Sequence, residues 1–336
     1  MAVNETSAID DRIRRAAEDL AGSSVRAISA ATSGANSSVY RVDTSTGVFA
    51  LKSYPTRSND IRSRADTEWR ALRFLASRGV AAVPSALARD SAGQFMLMEW
   101  IDGVAIKSHT AAEVREAADF IVRIFELSSD PEAAQFALAS EACLSADSIV
   151  RQIEQRLPSI APPAALAPFL SGEFPAALAR AKDHVGAELR YPVELASGLR
   201  RLIPADFGFH NAVRQADRTR YVDFEYFGWD DPVKVTADFL LHPAMQLSAD
   251  DNSHFLRRID IARSLDRDFP ARLQRLLPLF ALRWILILFN PFRRDRIGEL
   301  PADQDARQSL LMDRLAKVER LLPWTDPNAV AARIAP

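Results

Sequence analysis

The chain has 336 residues, of which 48% are hydrophobic and 26% are charged, and its formal net charge is −2 at pH 7. This composition is typical of a folded protein with a substantial core, and the length suits two lobes better than one small domain. The nearly balanced charge excludes a global attraction to nucleic acid, while the single cysteine, Cys143, excludes a disulfide framework and favours a cytoplasmic location.

The first hundred residues combine two helical patterns with short strands. A helix is predicted over 10–21, and the acidic residues of this N-terminal region do not fit a signal peptide. A second helix is predicted over 66–78, ending at Gly79. Period-two patterns separated by turns of small residues predict strands over 25–31, 39–43, 48–52, 86–89 and 95–100. Together, the strands predict a small antiparallel sheet.

From residue 110 onwards the pattern is mostly helical, apart from a strand-rich stretch over 202–227. The longest apolar stretch, 279–289, contains Arg283 and is too short to cross a bilayer. It predicts a buried helix and no membrane span. The predicted architecture is therefore α+β. Its parts are an N-terminal lobe over 1–103 with a hinge near 99–103, and a helical C-terminal lobe over 104–336.

The segment 203–211 carries the clearest chemical pattern, because Asp206 and Asn211 stand five positions apart. This is the spacing of a kinase catalytic loop, in which the Asp orients the attacking hydroxyl group and accepts its proton. Asp223 ends a short apolar strand further on, within a predicted metal-binding segment over 221–231. An Asn and a second Asp in this arrangement hold Mg²⁺ against nucleotide phosphates.

Two residues upstream fall where the same chemistry requires them. Lys52 ends the third predicted strand, the position of a lysine that binds nucleotide phosphates. Glu68 lies on the helix that follows and is predicted to pair with this lysine. The chain has the strand lysine, the helix glutamate, the catalytic loop and the metal-binding segment in the order that a kinase requires. Agreement of several elements in this order is stronger evidence than any single motif.

The remaining nucleotide contacts are predicted in a loop and in the hinge. The small-residue turn at the first corner of the sheet contains Gly34, Asn36 and Ser37, and its backbone N–H groups are predicted to close over the phosphates. Glu99 and Ile101 belong to the hinge, whose backbone is predicted to bind the nucleotide base.

These motifs, in this order, resemble those of the aminoglycoside phosphotransferase and choline kinase superfamily. The resemblance extends from about residue 25 to residue 243 and is looser beyond. It implies an α+β, protein-kinase-like two-lobe fold and a phosphotransferase that moves the γ-phosphate of ATP or GTP to a hydroxyl group of a small molecule. It also implies Mg²⁺ as the cofactor.

The resemblance assigns roles to individual residues. It implies that Asp206 is the catalytic base, that Asn211 and Asp223 bind the metal ion, and that Lys52 binds the nucleotide phosphates. It further implies that Asp238 braces the catalytic loop.

The sequence departs from the family pattern at Pro204, where the family usually has a histidine two positions before the catalytic Asp. We interpret the departure as the mark of a divergent subfamily, because the residues that carry the chemistry are present. His210 fits a structural hydrogen bond better than an acid–base role. Glu225 fits a further metal contact and a salt bridge equally well.

The acceptor is predicted to be a neutral or anionic, sugar-like hydroxyl compound. Residues 251–296 contain ten arginines and five acidic residues, and this surplus of positive charge would repel a polycationic aminoglycoside. Arg283, inside an apolar helix, is predicted either to pair with an acid or to contact the substrate. Asn290 either caps that helix or lines the acceptor cleft.

Two other functions stay open. A choline or ethanolamine kinase is favoured by the run 223–226 (DFEY), and Tyr226, Trp229 and Trp284 are candidates for the aromatic cage that a quaternary ammonium group needs. A non-catalytic nucleotide-sensing module is the alternative from a different class. A protein kinase is disfavoured, because the predicted metal-binding segment has Asp223-Phe224-Glu225 in place of the Asp-Phe-Gly metal motif, and the Ala-Pro-Glu signature is missing.

Overall fold

The structure, a computed structural model, describes residues 3–33, 37–55, 63–187, 193–259 and 266–334. The helices are α1 (Val3–Ala21), α2 (Arg64–Ser77), α3 (Ala111–Leu127), α4 (Ala146–Arg156), α5 (Phe174–Val185), α6 (Pro232–Leu241), α7 (Ala249–Ile259), α8 (Phe269–Leu288), α9 (Gln304–Leu321) and α10 (Pro327–Arg333). The strands are β1 (Val25–Ser33), β2 (Ser38–Thr44), β3 (Val48–Ser53), β4 (Ala86–Arg89), β5 (Phe95–Glu99), β6 (Val104–Ala105), β7 (Arg201–Ile203), β8 (Ala212–Gln215), β9 (Arg218–Tyr221) and β10 (Gly228–Asp230).

The chain divides into two compact units. The first unit comprises Met1–Ser108 and Phe209–Phe227, and the second comprises His109–Gly208 and Gly228–Pro336. Helices dominate the second unit, whereas the first contains most of the strands. The predicted α+β class is confirmed.

The first unit is built on a five-stranded antiparallel sheet with the strand order β1-β2-β3-β5-β4. Ile13 and Ala17 lie four positions apart on α1, and they pack against Val42, Leu51 and Leu97 of the sheet. All five predicted strands are present with bounds that differ by at most two residues. Their alternating apolar residues made them predictable, since one face of the sheet is buried.

Helix α2 places a carboxylate in the interior of the first unit. It begins after Ser63, whose hydroxyl group accepts a hydrogen bond from the Asp66 N–H at 3.1 Å. Glu68, Leu72 and Leu75 are all buried and recur at the spacing of one helix face. Because burying an unpaired carboxylate is costly, Glu68 needs partners inside the unit.

A hairpin of β8 and β9 completes the first unit. Its register pairs Ala212 with Tyr221, and beyond the strands the Val222 N–H donates to the Asn211 carbonyl at 2.9 Å. Asn211 and Asp223 therefore lie at the same open end of the hairpin. At its other side, β8 pairs with β6, and a Cβ atom on Gly103 would come within 2.4 Å of the Arg214 carbonyl. Only glycine permits this approach.

Helix α8 is the core of the second unit. Fourteen of its 20 residues are buried, and it packs against α4, α5, α6, α9 and α10. It begins at Phe269, well before the predicted apolar stretch, because Pro270 suits a first helical turn. Among the described residues, no helix is long and apolar enough to cross a membrane.

Candidate active site

Lys52 is the centre of a buried charge cluster in the first unit. Its side chain is buried on β3, and Nζ donates hydrogen bonds to Glu68 Oε2 and to Asp223 Oδ1, both at 2.7 Å. Glu225 Oε2 lies 3.2 Å from the same nitrogen. Burial alone would lower the pKa of Lys52, but the three carboxylates outweigh burial and raise the pKa above its ordinary value. The ammonium group therefore stays charged throughout the physiological pH range.

Glu68 uses both carboxylate oxygens within the cluster. Oε2 accepts from Lys52, and Oε1 accepts from the backbone N–H of Phe224 at 3.1 Å. Burial raises the pKa of Glu68, and the attraction of Lys52 opposes this shift without cancelling it. The structure thus forms the pair that the sequence predicts between a strand lysine and a helix glutamate, and it ties α2 to the segment after β9.

Tyr54 is a member of the cluster that the sequence analysis missed. Its hydroxyl group donates to Glu68 Oε2 at 2.7 Å, and Lys52 Nζ lies 5.2 Å from the centre of its ring. Burial raises the pKa of Tyr54 well above its ordinary value, so the phenol stays a neutral donor. The signal was present in the spacing, because residues two apart on an extended chain face the same side.

Asp223 and Asn211 provide oxygen atoms at the end of the hairpin. Asp223 has a φ of 69°, in the left-handed region, and its side chain remains 27% exposed. Carboxylate oxygens of Glu68, Asp223 and Glu225 lie within 4.8 Å of one another. This arrangement leaves Asp223 accessible while its neighbours are buried.

These residues fit Mg²⁺, which prefers oxygen ligands and usually takes one or two carboxylates from the protein. When all three carboxylates of the cluster are ionised, they face two cations, Lys52 and Arg64, and one negative charge is left over. Within the described residues, Glu225 Oε2 is buried without a hydrogen-bond partner. A divalent cation would satisfy both the surplus charge and the oxygen.

The second unit contains Asp206, on the segment that follows β7. Ala205 has a φ of 60°, and the Asp206 N–H donates to the Pro204 carbonyl at 2.9 Å, which closes a tight turn. The next residue, Phe207, stacks on Phe120 and Phe239 with ring-centre distances of 5.5 and 5.7 Å. The turn is therefore anchored to α3 and α6, and Asp206 itself is partly exposed.

Comparison with known proteins identifies the family. Residues 27–273 match the model of the phosphotransferase enzyme family. The matched residues make up most of the chain. The chain belongs to this family. No curated protein matches the sequence.

Solved structures share the fold of this family member at low sequence identity. A choline/ethanolamine kinase family protein from Mesorhizobium loti has 18% identity and a TM-score of 0.61, with 96% of this chain and 99% of that chain covered. A spectinomycin phosphotransferase, solved in complex with ADP and spectinomycin, has 11% identity and a TM-score of 0.62, covering 96% and 98%. Choline kinase from Streptococcus pneumoniae has 12% identity and a TM-score of 0.59, covering 93% and 99%. The likeness confirms the predicted protein-kinase-like fold.

The other predicted nucleotide contacts all belong to the first unit. Ser37 is half-buried beside β2, whereas Gly34 and Asn36 lie outside the described residues. The Glu99 carboxylate accepts from the Ser85 N–H and from Arg220, both at 3.0 Å, and Ile101 is buried. Burial would raise the pKa of Glu99, but these hydrogen bonds outweigh it and lower the pKa. The side chain of Glu99 is thus engaged within the unit, and its backbone is the part predicted to bind a base.

Arg283 and Asn290, the two predicted substrate residues, are on α8 and at its end. Arg283 is buried, and its guanidinium donates to Glu141 at 2.7 Å and to Gln152 at 2.6 Å. Asp238 lies 3.5 Å away. This geometry favours the ion-pair alternative over a substrate contact. Asn290 begins the short turn Asn290–Phe292 and is half-buried.

Asp238 and Asp230 belong to a buried polar network around α6. Asp238 accepts from Lys234 at 2.8 Å and from the indole N–H of Trp284 at 2.7 Å. Asp230 Oδ1 accepts from the backbone N–H of Cys143 at 2.8 Å, but Oδ2 is buried without a hydrogen-bond partner among the described residues. Burial raises the pKa of Asp230 to about 7, although Lys234 opposes the shift. Asp230 is therefore largely protonated below neutral pH.

Proposed function

We propose that the chain transfers the γ-phosphate of ATP or GTP to a hydroxyl group of a small molecule. The observation that carries the proposal is the buried Lys52 ammonium, which donates to Glu68 and to Asp223 at 2.7 Å each. A lysine fixed by a helix glutamate and placed beside a metal-binding aspartate is the arrangement that kinases use to hold nucleotide phosphates. Membership of the phosphotransferase enzyme family supports the same reaction.

The roles in this proposal follow from the chemistry of each side chain. Lys52 binds the phosphates, and Asn211 and Asp223 would hold Mg²⁺, which neutralises the charge that develops on the transferred phosphoryl group. Asp206 orients the acceptor hydroxyl group and takes its proton. The nucleotide lobe of the proposal is 1–103, with Gly34, Asn36 and Ser37 over the phosphates and the base at the hinge. The proposal keeps the predicted lobe over 104–336 for the catalytic loop and the metal-binding segment, although residues 209–227 of these segments lie in the first compact unit of the structure.

We also propose that the chain acts in the cytoplasm. The acceptor in this proposal is a neutral or anionic, sugar-like compound. Support comes from the surplus of arginines over acids in 251–296, which disfavours a polycationic aminoglycoside. Several of these arginines are neutralised, as Arg272 pairs with Asp231 and Arg283 with Glu141. These pairs reduce the positive charge that the remaining arginines of 251–296 can present to an acceptor.

A choline or ethanolamine kinase is the second candidate, supported by the run 223–226 and by the choline kinases among the solved structures. Its aromatic cage is less well supported. The indole of Trp284 is buried and donates to Asp238, and the indole of Trp229 donates to the Ala133 carbonyl at 3.0 Å. A non-catalytic nucleotide sensor is the third candidate, and it predicts nucleotide binding without turnover.

A coupled assay of ADP or GDP release tests the proposal. The assay is run with ATP and with GTP, with and without Mg²⁺, across neutral sugars, acidic sugars, amino alcohols and aminoglycosides. We expect magnesium-dependent release that needs an acceptor. Binding of Mg²⁺ and nucleotide without release for any acceptor supports the sensor instead, and preferential release with choline supports the second candidate.

A further inference from the structure

The second unit contains a cavity of about 520 Å³, a size suited to a small-molecule ligand. It lies between the end of α6, the segment 242–253, α9 and α10. Its lining includes His242, Lys317, Arg320, Trp324 and Arg333. None of the residues in this lining belongs to the predicted nucleotide-binding motifs.

The charge of the cavity is positive. Lys317, Arg320 and Arg333 contribute cations, and none of the described residues that line it is an aspartate or a glutamate. Lys317 pairs with Asp313 at 2.7 Å. Within the described part of the chain, Arg320 and Arg333 form no salt bridge. Two guanidinium groups are therefore available to an anion, and the planar fork of arginine suits carboxylate and phosphate groups.

The cavity also has a defined geometry at one of these cations. The guanidinium of Arg333 lies over the ring of Trp324 at 5.5 Å from its centre, a cation–π arrangement that limits the freedom of a long side chain. Leu240 and Leu321 supply apolar surface in the same lining. The cavity thus combines a guanidinium group held by an aromatic ring with apolar surface. This combination fits a compact ligand that carries an acid.

His242 connects the cavity to Asp206. It lines the cavity, and a ring nitrogen lies within 4.8 Å of a carboxylate oxygen of Asp206. The Ala244 N–H donates to Nδ1 at 3.2 Å, so the proton of a neutral ring is on Nε2. Trp284 packs edge-on against this ring, with 4.7 Å between ring centres, and holds its position.

We propose that this cavity is the acceptor site and that the acceptor carries an anionic group, a carboxylate or a phosphate, beside its reactive hydroxyl. Arg320 and Arg333 bind the anion. His242 lines the cavity and lies near Asp206, so the cavity is beside the base in the proposed function, and the inference rests on that function. The proposed specificity is opposite to that needed for a cationic aminoglycoside or choline.

Binding of matched acid and neutral probes tests the inference. The full chain is first saturated with Mg²⁺ and ADP, so that anions cannot enter the nucleotide site. D-glucuronate is then compared with D-glucose, and glycerol 3-phosphate with glycerol, by ligand-observed NMR and calorimetry. We expect at least one acid to bind about tenfold more tightly than its neutral partner, as one charge-assisted hydrogen bond can provide. The two pairs distinguish a carboxylate site from a phosphate site.

The double variant Arg320→Gln/Arg333→Gln should lose this preference and keep its affinity for ADP. Both side chains are exposed, so the fold should tolerate the change. The matched control is Arg307→Gln, on α9 but outside the cavity lining. The inference is overturned if no acid binds at about 10 mM, if acids bind no better than neutral partners, or if the preference survives in the double variant. A failure of ADP itself to bind overturns the proposed function as well, and it is detected before any probe is added.

Discussion

Lys52 and Tyr54 donate hydrogen bonds to the same oxygen atom, Oε2 of Glu68, each at 2.7 Å. The shared acceptor means that the lysine does not depend on the glutamate alone for its position, since the phenol holds the glutamate in turn. Because all three side chains are buried, each bond is protected from competition with water.

Replacing Tyr54 tests this arrangement. Tyr54→Phe removes one buried hydrogen bond while keeping the ring, and we expect a loss of about 1–2 kcal/mol in the free energy of unfolding. We also expect a higher KM for the nucleotide, because Glu68 is held less firmly. Urea unfolding and initial rates measure the two effects. Tyr40→Phe on β2 is the control, as its hydroxyl makes no hydrogen bond to a described residue. An effect no larger than that of the control contradicts the role of Tyr54.

Lys52→Met should destabilise the first unit strongly. The change leaves the carboxylates of Glu68, Asp223 and Glu225 without their central cation, and breaking a buried pair on one side costs about 3–5 kcal/mol. Adding Glu68→Gln should recover part of this loss, because one unpaired charge is removed with it. The double-mutant cycle is measured by urea unfolding. Strictly additive effects would mean that the two side chains are not coupled.

Asp223→Asn should remove magnesium-dependent nucleotide binding. Asparagine tolerates the left-handed backbone of this residue, so the change removes the charge without adding strain. For the native chain, a nucleotide at 100 times its Kd adds about 2.7 kcal/mol of stability, which is seen as a higher Tm. We expect the magnesium-dependent part of this shift to disappear in the variant. Asp217→Asn, an exposed residue in the β8–β9 turn, is the control. An undiminished shift in Asp223→Asn argues against a metal site there.

The raised pKa of Asp230 predicts that the stability of the fold depends on pH. Its pKa is about 7 in the folded chain and has an ordinary value of 3.8. Between these values the folded state holds a proton that the unfolded state has lost, so this residue makes the fold less stable as pH rises from about 4 to about 7. One pKa unit corresponds to about 1.4 kcal/mol, which gives roughly 4 kcal/mol as the upper limit.

Asp230→Asn should remove this dependence, since an amide does not titrate and still offers one acceptor oxygen. We expect the stability of the variant relative to the native chain to rise by a few kcal/mol between pH 5 and pH 8. Urea unfolding at the two pH values measures the difference, with Asp217→Asn as the exposed control. If the variant and the native chain differ in free energy of unfolding by the same amount at both pH values, Asp230 is ionised in the folded chain at pH 5 as well as at pH 8.

Local sequence patterns made much of the first unit predictable. Lys52, Glu68 and Asp223 each occupy a defined place on a strand, a helix or a hairpin end, and the alternation of apolar residues revealed those elements. Tyr54 was missed, although its spacing from Lys52 was visible, because a tyrosine after a strand is ordinarily a packing residue.

Long-range contacts were not predictable from the sequence. Arg283 meets Glu141 and Gln152, which are more than a hundred residues away along the chain, so no periodicity relates them. His242 likewise comes close to Asp206 only through the packing of the second unit. The surplus of arginines in 251–296 was real, but ion pairs neutralise Arg272 and Arg283, which a count of charges does not reveal.

Formation of a phosphoester is the most direct test of phosphotransfer. The native chain, Asp206→Asn and Asp217→Asn are incubated with Mg²⁺, ATP or GTP, and the panel of hydroxyl compounds, and ³¹P NMR follows the products. For at least one acceptor, the native chain and the Asp217→Asn control should form ADP or GDP and a phosphoester in equal amounts. Asp206→Asn should bind nucleotide normally and be slower by about 10²- to 10⁴-fold. Equal turnover by Asp206→Asn, or no phosphoester with any acceptor, would contradict the account.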